Sequence, residues 1–357
     1  MAKLPLYQKI MDDLAKKIAN GVLKPGEQLP TEIALAEEYK VSRITSKRAL
    51  TELENQEIIF RLQGKGSFVA EPTKASHLID RMKDRHEILL IMPFAENTGM
   101  SAYAEGVVSY LRNTHYTINI ETHKYANQRE LLLTLDNYAG LIIYPITSTT
   151  DLDILYYRQL QHFPMVSIDK QLEGLTINGV TANNFAGGYE LTNRLIAAGH
   201  TKILYISTQA VDTTTTVRDR YFGYLKALFE HNIQFHSENV KPVADNEDFY
   251  HEIIKYARNY NITAIVAEND LTAMLIMAAA KESGLTLPKE LSIVGFDNIQ
   301  ASALIEPALT TAAQDFHKMG ALAAEMLINQ IEHPKTPIDQ LVVDVDIIDR
   351  QSIAGHT

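Results

Sequence analysis

From residue 87 onward, short apolar runs alternate with longer segments whose apolar residues recur at three- and four-residue steps. Runs of four or five apolar residues have the length of buried strands, whereas the longer periodic segments have that of amphipathic helices. The alternation predicts parallel strands with helices covering both faces of the sheet. The predicted strands include 88–92, 140–144, 165–168, 202–206, 264–267 and 292–296.

The alternation occurs twice, which predicts two α/β lobes of similar layout. The first spans about residues 88–168 and the second about residues 180–310. A helix is predicted at 316–331, and the tail at 341–349 alternates apolar and polar residues as one strand does. Two such lobes enclose a cleft, and open parallel sheets bind ligands at the carboxyl ends of their strands.

The first 70 residues predict three helices followed by a two-stranded wing. Gln63-Gly64-Lys65-Gly66 is a hairpin turn signal between two strand-like stretches. Its glycines let the backbone approach another molecule closely. The helices are predicted at 6–19, 31–39 and from 43 onward, and the strands at 57–62 and 67–69.

The third of these helices divides into a polar half and an apolar half. Ser42 can cap it by accepting from its free backbone N–H groups. From Ala49 onward the helix is amphipathic and can pack on a core. A helix that enters a DNA major groove needs this division, because its leading end meets phosphates and base edges. The leading turns carry polar and mostly cationic residues, namely Arg43, Thr45, Lys47 and Arg48.

Segments at fixed spacing make these 70 residues resemble the winged helix-turn-helix of the GntR family of bacterial repressors. They are residues 6–8, 21–32, 41–45 and 63–69. In that family the positions of Arg43, Thr45 and Lys47 contact phosphate or bases, and the wing tip enters the minor groove. The resemblance implies DNA contacts from Glu32, Ser42, Arg43, Thr45, Lys47, Arg48, Gln63, Gly64, Lys65 and Gly66.

The sequence does not distinguish whether Lys47 or Arg48 contacts a base. The family usually has Arg at the position of Lys47 and commonly a non-basic residue at that of Arg48. An Arg guanidinium can donate two parallel hydrogen bonds to guanine, whereas a Lys ammonium is a point charge. The two side chains therefore do not recognise a base in the same way.

Length and charge indicate a multidomain regulator. The 357 residues fit two or three domains. We predict a DNA-binding domain at 1–70, a polar linker at 71–86 and a ligand-binding and dimerisation domain at 87–357. The net charge is −11, but residues 1–70 hold 11 Lys and Arg against 9 Asp and Glu, so the acidity lies in the remainder.

Several classes of protein are disfavoured by what the sequence lacks. There is no cysteine, so disulfides and thiolate metal sites are excluded. The N-terminus has no apolar segment of a signal peptide, and no run of about 18 apolar residues could span a membrane. We therefore expect a cytoplasmic protein without membrane partner, metal or cofactor.

Polar residues follow the predicted strands where a ligand would bind. Asp169 and Asp297 directly follow strands, and Asn269 and Asp270 are the second and third residues after another. An isolated Asp at a strand end more commonly caps a helix. Four such groups in two lobes favour a ligand site instead.

These residues also resemble the effector domain of the LacI/GalR family, which is similar to periplasmic sugar-binding proteins. The resemblance covers nearly all of residues 87–350 and includes the segments 166–170, 294–297 and 309–311. It implies that Asp169, Arg220, Asn269 and Asp297 hydrogen-bond sugar hydroxyls. Carboxylates and a guanidinium suit such a ligand because each can bind two hydroxyls. It also implies that the ring of Phe316 lies against the sugar.

A GntR-type head on a LacI-type body is the layout of the bacterial arabinose repressors, which the whole chain resembles. The hypothesis is a homodimeric repressor of carbohydrate-utilisation genes, bound to a palindromic operator and released by L-arabinose or a related sugar. A glycoside-acting enzyme is an alternative, because Asp169 and Asp297 could face one sugar. A transport receptor is another, although it needs a signal peptide or lipid anchor. Nucleotide-binding glycine motifs and a G-x-S-x-G elbow are absent.

Overall fold

The computed structural model divides the chain into two compact units, Met1–Arg85 and His86–Thr357. Of the predicted linker at 71–86, only His86 lies within the described residues. None of the helices in the described part has the length and apolar character that a membrane span requires. The structure describes residues 6–19, 22–55, 58–62, 65–70, 86–92, 101–122, 128–235 and 247–356.

The N-terminal unit contains the predicted three helices and two-stranded wing. Leu14, Leu35 and Leu50, one from each helix, are fully or almost fully buried in one core. The wing strands are antiparallel, with Phe60 opposite Phe68. The elements are α1 (Leu6–Ala19), α2 (Glu32–Glu38), α3 (Arg43–Asn55), β1 (Ile59–Leu62) and β2 (Gly66–Val69).

The C-terminal unit consists of two sheets that define two lobes. The first lobe has six parallel strands in the order β12-β7-β6-β5-β3-β4. Its strands are β3 (Glu87–Ile91), β4 (Thr117–Glu121), β5 (Gly140–Ile143), β6 (Met165–Ile168), β7 (Asn178–Ala182) and β12 (Gln340–Val343). Its helices are α4 (Ser101–Leu111), α5 (Gln128–Leu133), α6 (Leu152–Leu160) and α11 (Phe316–Glu332).

The second lobe has five strands in the order β13-β11-β10-β9-β8, all parallel except β13. Its strands are β8 (Ile203–Ile206), β9 (Ala264–Ala267), β10 (Ser292–Asp297), β11 (Thr310–Ala313) and β13 (Asp346–Ile348). Its helices are α7 (Asn184–Ala197), α8 (Thr215–Glu230), α9 (Glu247–Asn259) and α10 (Asp270–Glu282).

The structure corrects two sequence-based boundaries. We predicted that the second lobe begins near residue 180, but β7 pairs with β6 and completes the first sheet. The tail at 341–349 is not one strand, because β12 pairs with β7 in the first lobe and β13 with β11 in the second. Alternation along a strand reports burial on one face, and it does not reveal that the chain changes sheets midway.

The chain crosses between the lobes three times, and the crossings place strand ends of both lobes near one another. They lie between β7 and α7, between β11 and α11, and between β12 and β13. Two of them are joined by a hydrogen bond, in which Asn183 Nδ2 donates to Asp344 Oδ1 at 3.1 Å.

Candidate functional site

The first lobe contributes a buried ion pair at the end of β6. Asp169 and Lys170 are each only 4% exposed, and Lys170 Nζ lies 3.2 Å from Asp169 Oδ2. The ammonium also lies 4.0 Å from the ring centre of Tyr144, which directly follows β5. Tyr103 on α4 donates to Asp169 Oδ1 at 3.4 Å. The two tyrosines and the ammonium therefore hold the carboxylate in a defined position.

The second lobe contributes Arg220, whose guanidinium is fixed by contacts with four other residues. Its Nε donates to Asn184 Oδ1 at 2.8 Å, and its Nη1 donates to the backbone oxygen of Glu268 at 2.5 Å. Its plane lies 3.7 Å from the ring centre of Phe296, and Nη2 lies 3.5 Å from Asp297 Oδ1. An arginine fixed in this way can present its remaining N–H groups to a ligand without losing further side-chain entropy.

Close packing of α7 and α8 positions Arg220. A Cβ atom on Gly188 would lie 2.2 Å from the backbone oxygen of Arg220, and one on Gly223 would lie 2.2 Å from that of Phe185. The two helices can therefore approach this closely only because both positions are glycine. The sequence shows glycines in this region, but the contact between them is visible only in the fold.

Asp297 ends β10 in an unusual backbone conformation. Its φ is +112°, a region that side-chain-bearing residues rarely occupy, and such strain is concentrated at functional sites. Gln314 Nε2 donates to its Oδ1 at 2.6 Å. Burial raises the pKa of Asp297 to about 6, an effect that Arg220 opposes and Asp169 reinforces. Because Asp169 belongs to the other lobe, its influence shows that the two carboxylates are within electrostatic reach of each other.

Burial also controls the other ionisable groups of the cleft. It lowers the pKa of Lys170, although the Asp169 carboxylate acts against this shift. It raises the pKa of Tyr103 and of Tyr144 well above the usual value, and Asp169 adds to both shifts. Both phenols therefore stay neutral and can donate hydrogen bonds at physiological pH.

The remaining predicted effector residues have different surroundings. Asn269 is the N-cap of α10, where its Oδ1 accepts from the backbone N–H of Thr272 at 2.8 Å. The Phe316 ring is largely buried and packs 4.8 Å from that of Tyr103. It thus lies next to the first-lobe half of the cleft.

Asp270 is fully buried and serves a structural role. It accepts from Thr311 Oγ1 at 2.6 Å and from the backbone N–H of Ile299 at 2.9 Å. These bonds join α10 to the segments after β10 and in β11. Burial raises its pKa to about 7, and the nearby Asp297 adds to the shift.

Four cleft residues were not predicted as effector contacts: Tyr103, Tyr144, Lys170 and Gln314. Tyr144 and Gln314 directly follow β5 and β11, so the strand-end rule that selected Asp169 could have found them. Tyr103 lies within a helix, and no sequence signal assigns it to the cleft.

In the N-terminal unit, a buried serine sets the angle between α2 and α3. Ser46 Oγ donates to the backbone oxygen of Glu32 at 2.6 Å and contacts that of Arg43 at 3.0 Å. Ser42 Oγ accepts from the backbone N–H of Thr45 at 3.2 Å, which confirms the predicted cap. The leading turn of α3 is therefore held against α2.

The cationic side chains of α3 are exposed but not equivalent. The Arg43 side chain is 69% exposed, and its Nε lies 3.2 Å from Glu32 Oε2. The Arg48 guanidinium lies 4.1 Å from the ring centre of Tyr7 on α1, whereas Lys47 is exposed. Glu32 also contacts Arg61 of β1 at 3.6 Å, so it links the leading turn to the wing.

At the wing tip, Lys65 is exposed and its backbone oxygen accepts from Gln28 Nε2 at 2.7 Å. Gly66 has φ +113°, a conformation that favours glycine, and a Cβ there would meet Gln28. The predicted tip residues Gln63 and Gly64 lie outside the described residues. Within the described part of the chain, no three His, Asp or Glu side chains come together as a metal site.

Two family models match the chain. Residues 6–69 match the bacterial regulatory proteins of the gntR family, and residues 192–353 match the periplasmic binding protein-like domain. The two matches fall in the two compact units described above. They agree with the winged helix in the first unit and with the parallel sheets in the second.

Individual proteins extend this similarity over the whole chain. The arabinose metabolism transcriptional repressor of Geobacillus stearothermophilus is 28% identical over 98% of both chains. The HTH-type transcriptional repressor PurR of Pasteurella multocida (strain Pm70) is 30% identical over 71% of this chain and 74% of its own. A ribose-bound LacI family regulator from Enterococcus faecium superposes with a TM-score of 0.66 at 23% identity, covering 76% of this chain and all of its own. The chain belongs to the bacterial transcriptional repressors, with a GntR-family winged helix-turn-helix followed by a periplasmic-binding-protein-like domain of the LacI type.

Proposed function

We propose that this protein is a sequence-specific DNA-binding repressor of carbohydrate-utilisation genes, and that L-arabinose or a closely related sugar releases it. The observation that carries the proposal is the convergence of Asp169 from one lobe with Arg220 and Asp297 from the other. Acidic and guanidinium groups of this kind bind sugar hydroxyls as acceptors and donors. The relative that matches over 98% of both chains and the PurR relative are both named as transcriptional repressors.

Sugar binding can favour a closed arrangement of the lobes, because its hydroxyls would be shared by groups from both. A ligand shifts a conformational equilibrium only by its difference in affinity for the two states. A coupling of about 1–3 kcal/mol between sugar and DNA binding is typical of such regulators. The three crossings between the lobes are the segments that such a movement would bend.

The proposed DNA-binding unit is residues 1–70, joined by residues 71–86 to an effector and dimerisation domain at 87–357. A dimer would present two copies of α3 to a palindromic operator in the cytoplasm, and half-site spacing would then depend on the arrangement of the dimer. Lys47 is the better candidate for a base contact, since the Arg48 guanidinium stacks on Tyr7.

A sugar panel with the full-length protein tests the proposal. Pentoses, hexoses and disaccharides would be screened by thermal shift, and then for release of DNA selected from a random duplex pool. We expect L-arabinose or a close relative to raise Tm, because a ligand that binds only the folded state stabilises it. The same sugar should release the DNA and be recovered unchanged. Turnover of the sugar would support the glycoside-acting enzyme instead, and DNA binding that no sugar alters would contradict the proposal.

Sugar affinity should fall when the pH drops below about 6. Asp297 has a pKa of about 6 in the folded protein, and only its ionised form accepts hydrogen bonds with both oxygens. Burial has raised this pKa, so binding of a hydroxyl donor must displace the proton at low pH. Affinity measured by calorimetry should therefore be about tenfold weaker at pH 5 than at pH 7. Asp297→Asn should bind weakly at both values and lose this dependence, whereas an unchanged slope would assign the titration to another group.

A further inference from the structure

Ile44 is an exposed apolar residue in the leading turn of α3. Its side chain is 81% exposed, although isoleucine gains free energy when it is removed from water. It is the second residue of the helix, between Arg43 and Thr45. The buried side of the same helix is formed by Ser46, Ala49 and Leu50. Ile44 therefore contributes nothing to the core and projects from the face opposite to it.

The residues around Ile44 are cationic, and both arginines among them have partners of their own. Arg43 is paired with Glu32, and Arg48 is stacked on Tyr7. Lys47 and Arg48 lie three and four residues further along the helix and so border Ile44 on its own face. Neither neighbouring guanidinium covers the isoleucine. The Ile44 side chain is therefore an exposed apolar group surrounded by cationic residues, and it would contact any ligand that binds to this surface.

We propose that Ile44 recognises a thymine through its C5-methyl group. The inference rests on the proposed DNA-binding function of this unit. Among the base edges of the major groove, only thymine offers a methyl group, so an apolar side chain at the leading end of α3 can select it. The flanking cations would supply contacts to phosphates and polar base edges, which an isoleucine cannot make.

Replacing thymine by deoxyuridine tests this directly, because the change removes only the methyl group. An operator would first be selected from a random duplex pool with the full-length protein, and each thymine would then be replaced in turn. One position per half-site should lose about fourfold in affinity, the value of one buried methyl, and about fifteenfold when both half-sites are changed.

Ile44→Ala separates this contact from effects of deoxyuridine on DNA shape. The variant should bind the thymine operator more weakly and should show no further loss with deoxyuridine at the same position. Ile44→Val should keep most of the sensitivity. Since the side chain is exposed, Tm of both variants should equal that of the wild type.

The outcomes distinguish this inference from the function on which it rests. If the protein selects no operator at all, the proposed function fails. If an operator is bound but no thymine loses affinity on replacement, or if the sensitive thymine stays sensitive in Ile44→Ala, then the role assigned to Ile44 is wrong while the repressor function stands.

Discussion

Arg220→Ala is expected to give a repressor that stays on its operator at sugar concentrations that release the wild type. Arg220 is the one cationic side chain that contacts Asp297 in the described part of the chain. Loss of charged hydrogen bonds to two hydroxyls would weaken sugar binding by about 3–6 kcal/mol, that is, by at least a hundredfold. Fluorescence anisotropy on labelled operator, with and without sugar, would measure the effect.

The same substitution also lowers the stability of the fold. The experiment must therefore distinguish weaker sugar binding from a loss of folded protein. It leaves Asp297 without its counterion and removes the contacts to Asn184 and Glu268. Removing one partner of a buried pair typically costs about 3–5 kcal/mol of stability. Arg220→Lys keeps the charge but loses the planar, bidentate donors of the guanidinium, so it should fold and still respond weakly to sugar.

Arg194→Ala is a matched control for Arg220→Ala. Arg194 lies on α7 of the same lobe and forms an exposed ion pair with Asp349. It should therefore be induced normally. If Arg220→Ala and Asp297→Ala fold and are fully induced, the effector does not bind in this cleft.

Arg43→Ala is expected to cause a large loss of operator binding while leaving sugar affinity unchanged. The Arg43 side chain is 69% exposed at the leading end of α3, where the helix would meet the major groove. A base or phosphate contact of this kind is worth about 1–3 kcal/mol, and a dimer loses it twice. We expect operator affinity to fall by at least about thirtyfold, with sugar binding measured on the same preparation by calorimetry. Its exposed ion pair with Glu32 contributes little stability, so Tm should hardly change.

Two other cations of the head serve as comparisons. Lys24→Ala removes an exposed charge outside α3 and should have only a small effect on operator affinity. Arg48→Ala should lose less than Lys47→Ala, because the Arg48 guanidinium is held against Tyr7. If Arg43→Ala weakens operator and sugar binding together, the two units do not act separately as proposed.

Much of the fold could be predicted because it is encoded in local patterns. The three helices and the wing of the head, and the α/β alternation of the body, follow from side-chain periods of two and 3.6 residues. The Ser42 cap could also be predicted, since a cap involves groups within one helical turn. The strand-end rule pointed to Asp169 and Asp297, which the structure places in one cleft.

The surroundings of the other strand-end residues follow only from the structure. Asn269 caps α10, and Asp270 is buried against β11 through a bond to Thr311, which is distant in the sequence. The position of Tyr103 in the cleft could not be predicted, because it depends on how α4 packs against the sheet.

The sequence by itself determined the helices and strands, their order, and the division into a mildly basic DNA-binding unit and an acidic α/β unit. Tertiary structure alone decided which sheet receives β7, that the tail divides between two sheets, and which strand-end residues meet. Periodic patterns reflect hydrogen bonding and burial within a few residues, so they specify local geometry. The pairing of Arg220 with Asp297, and the electrostatic interaction of Asp297 with Asp169, arise from packing between segments that are far apart in the sequence.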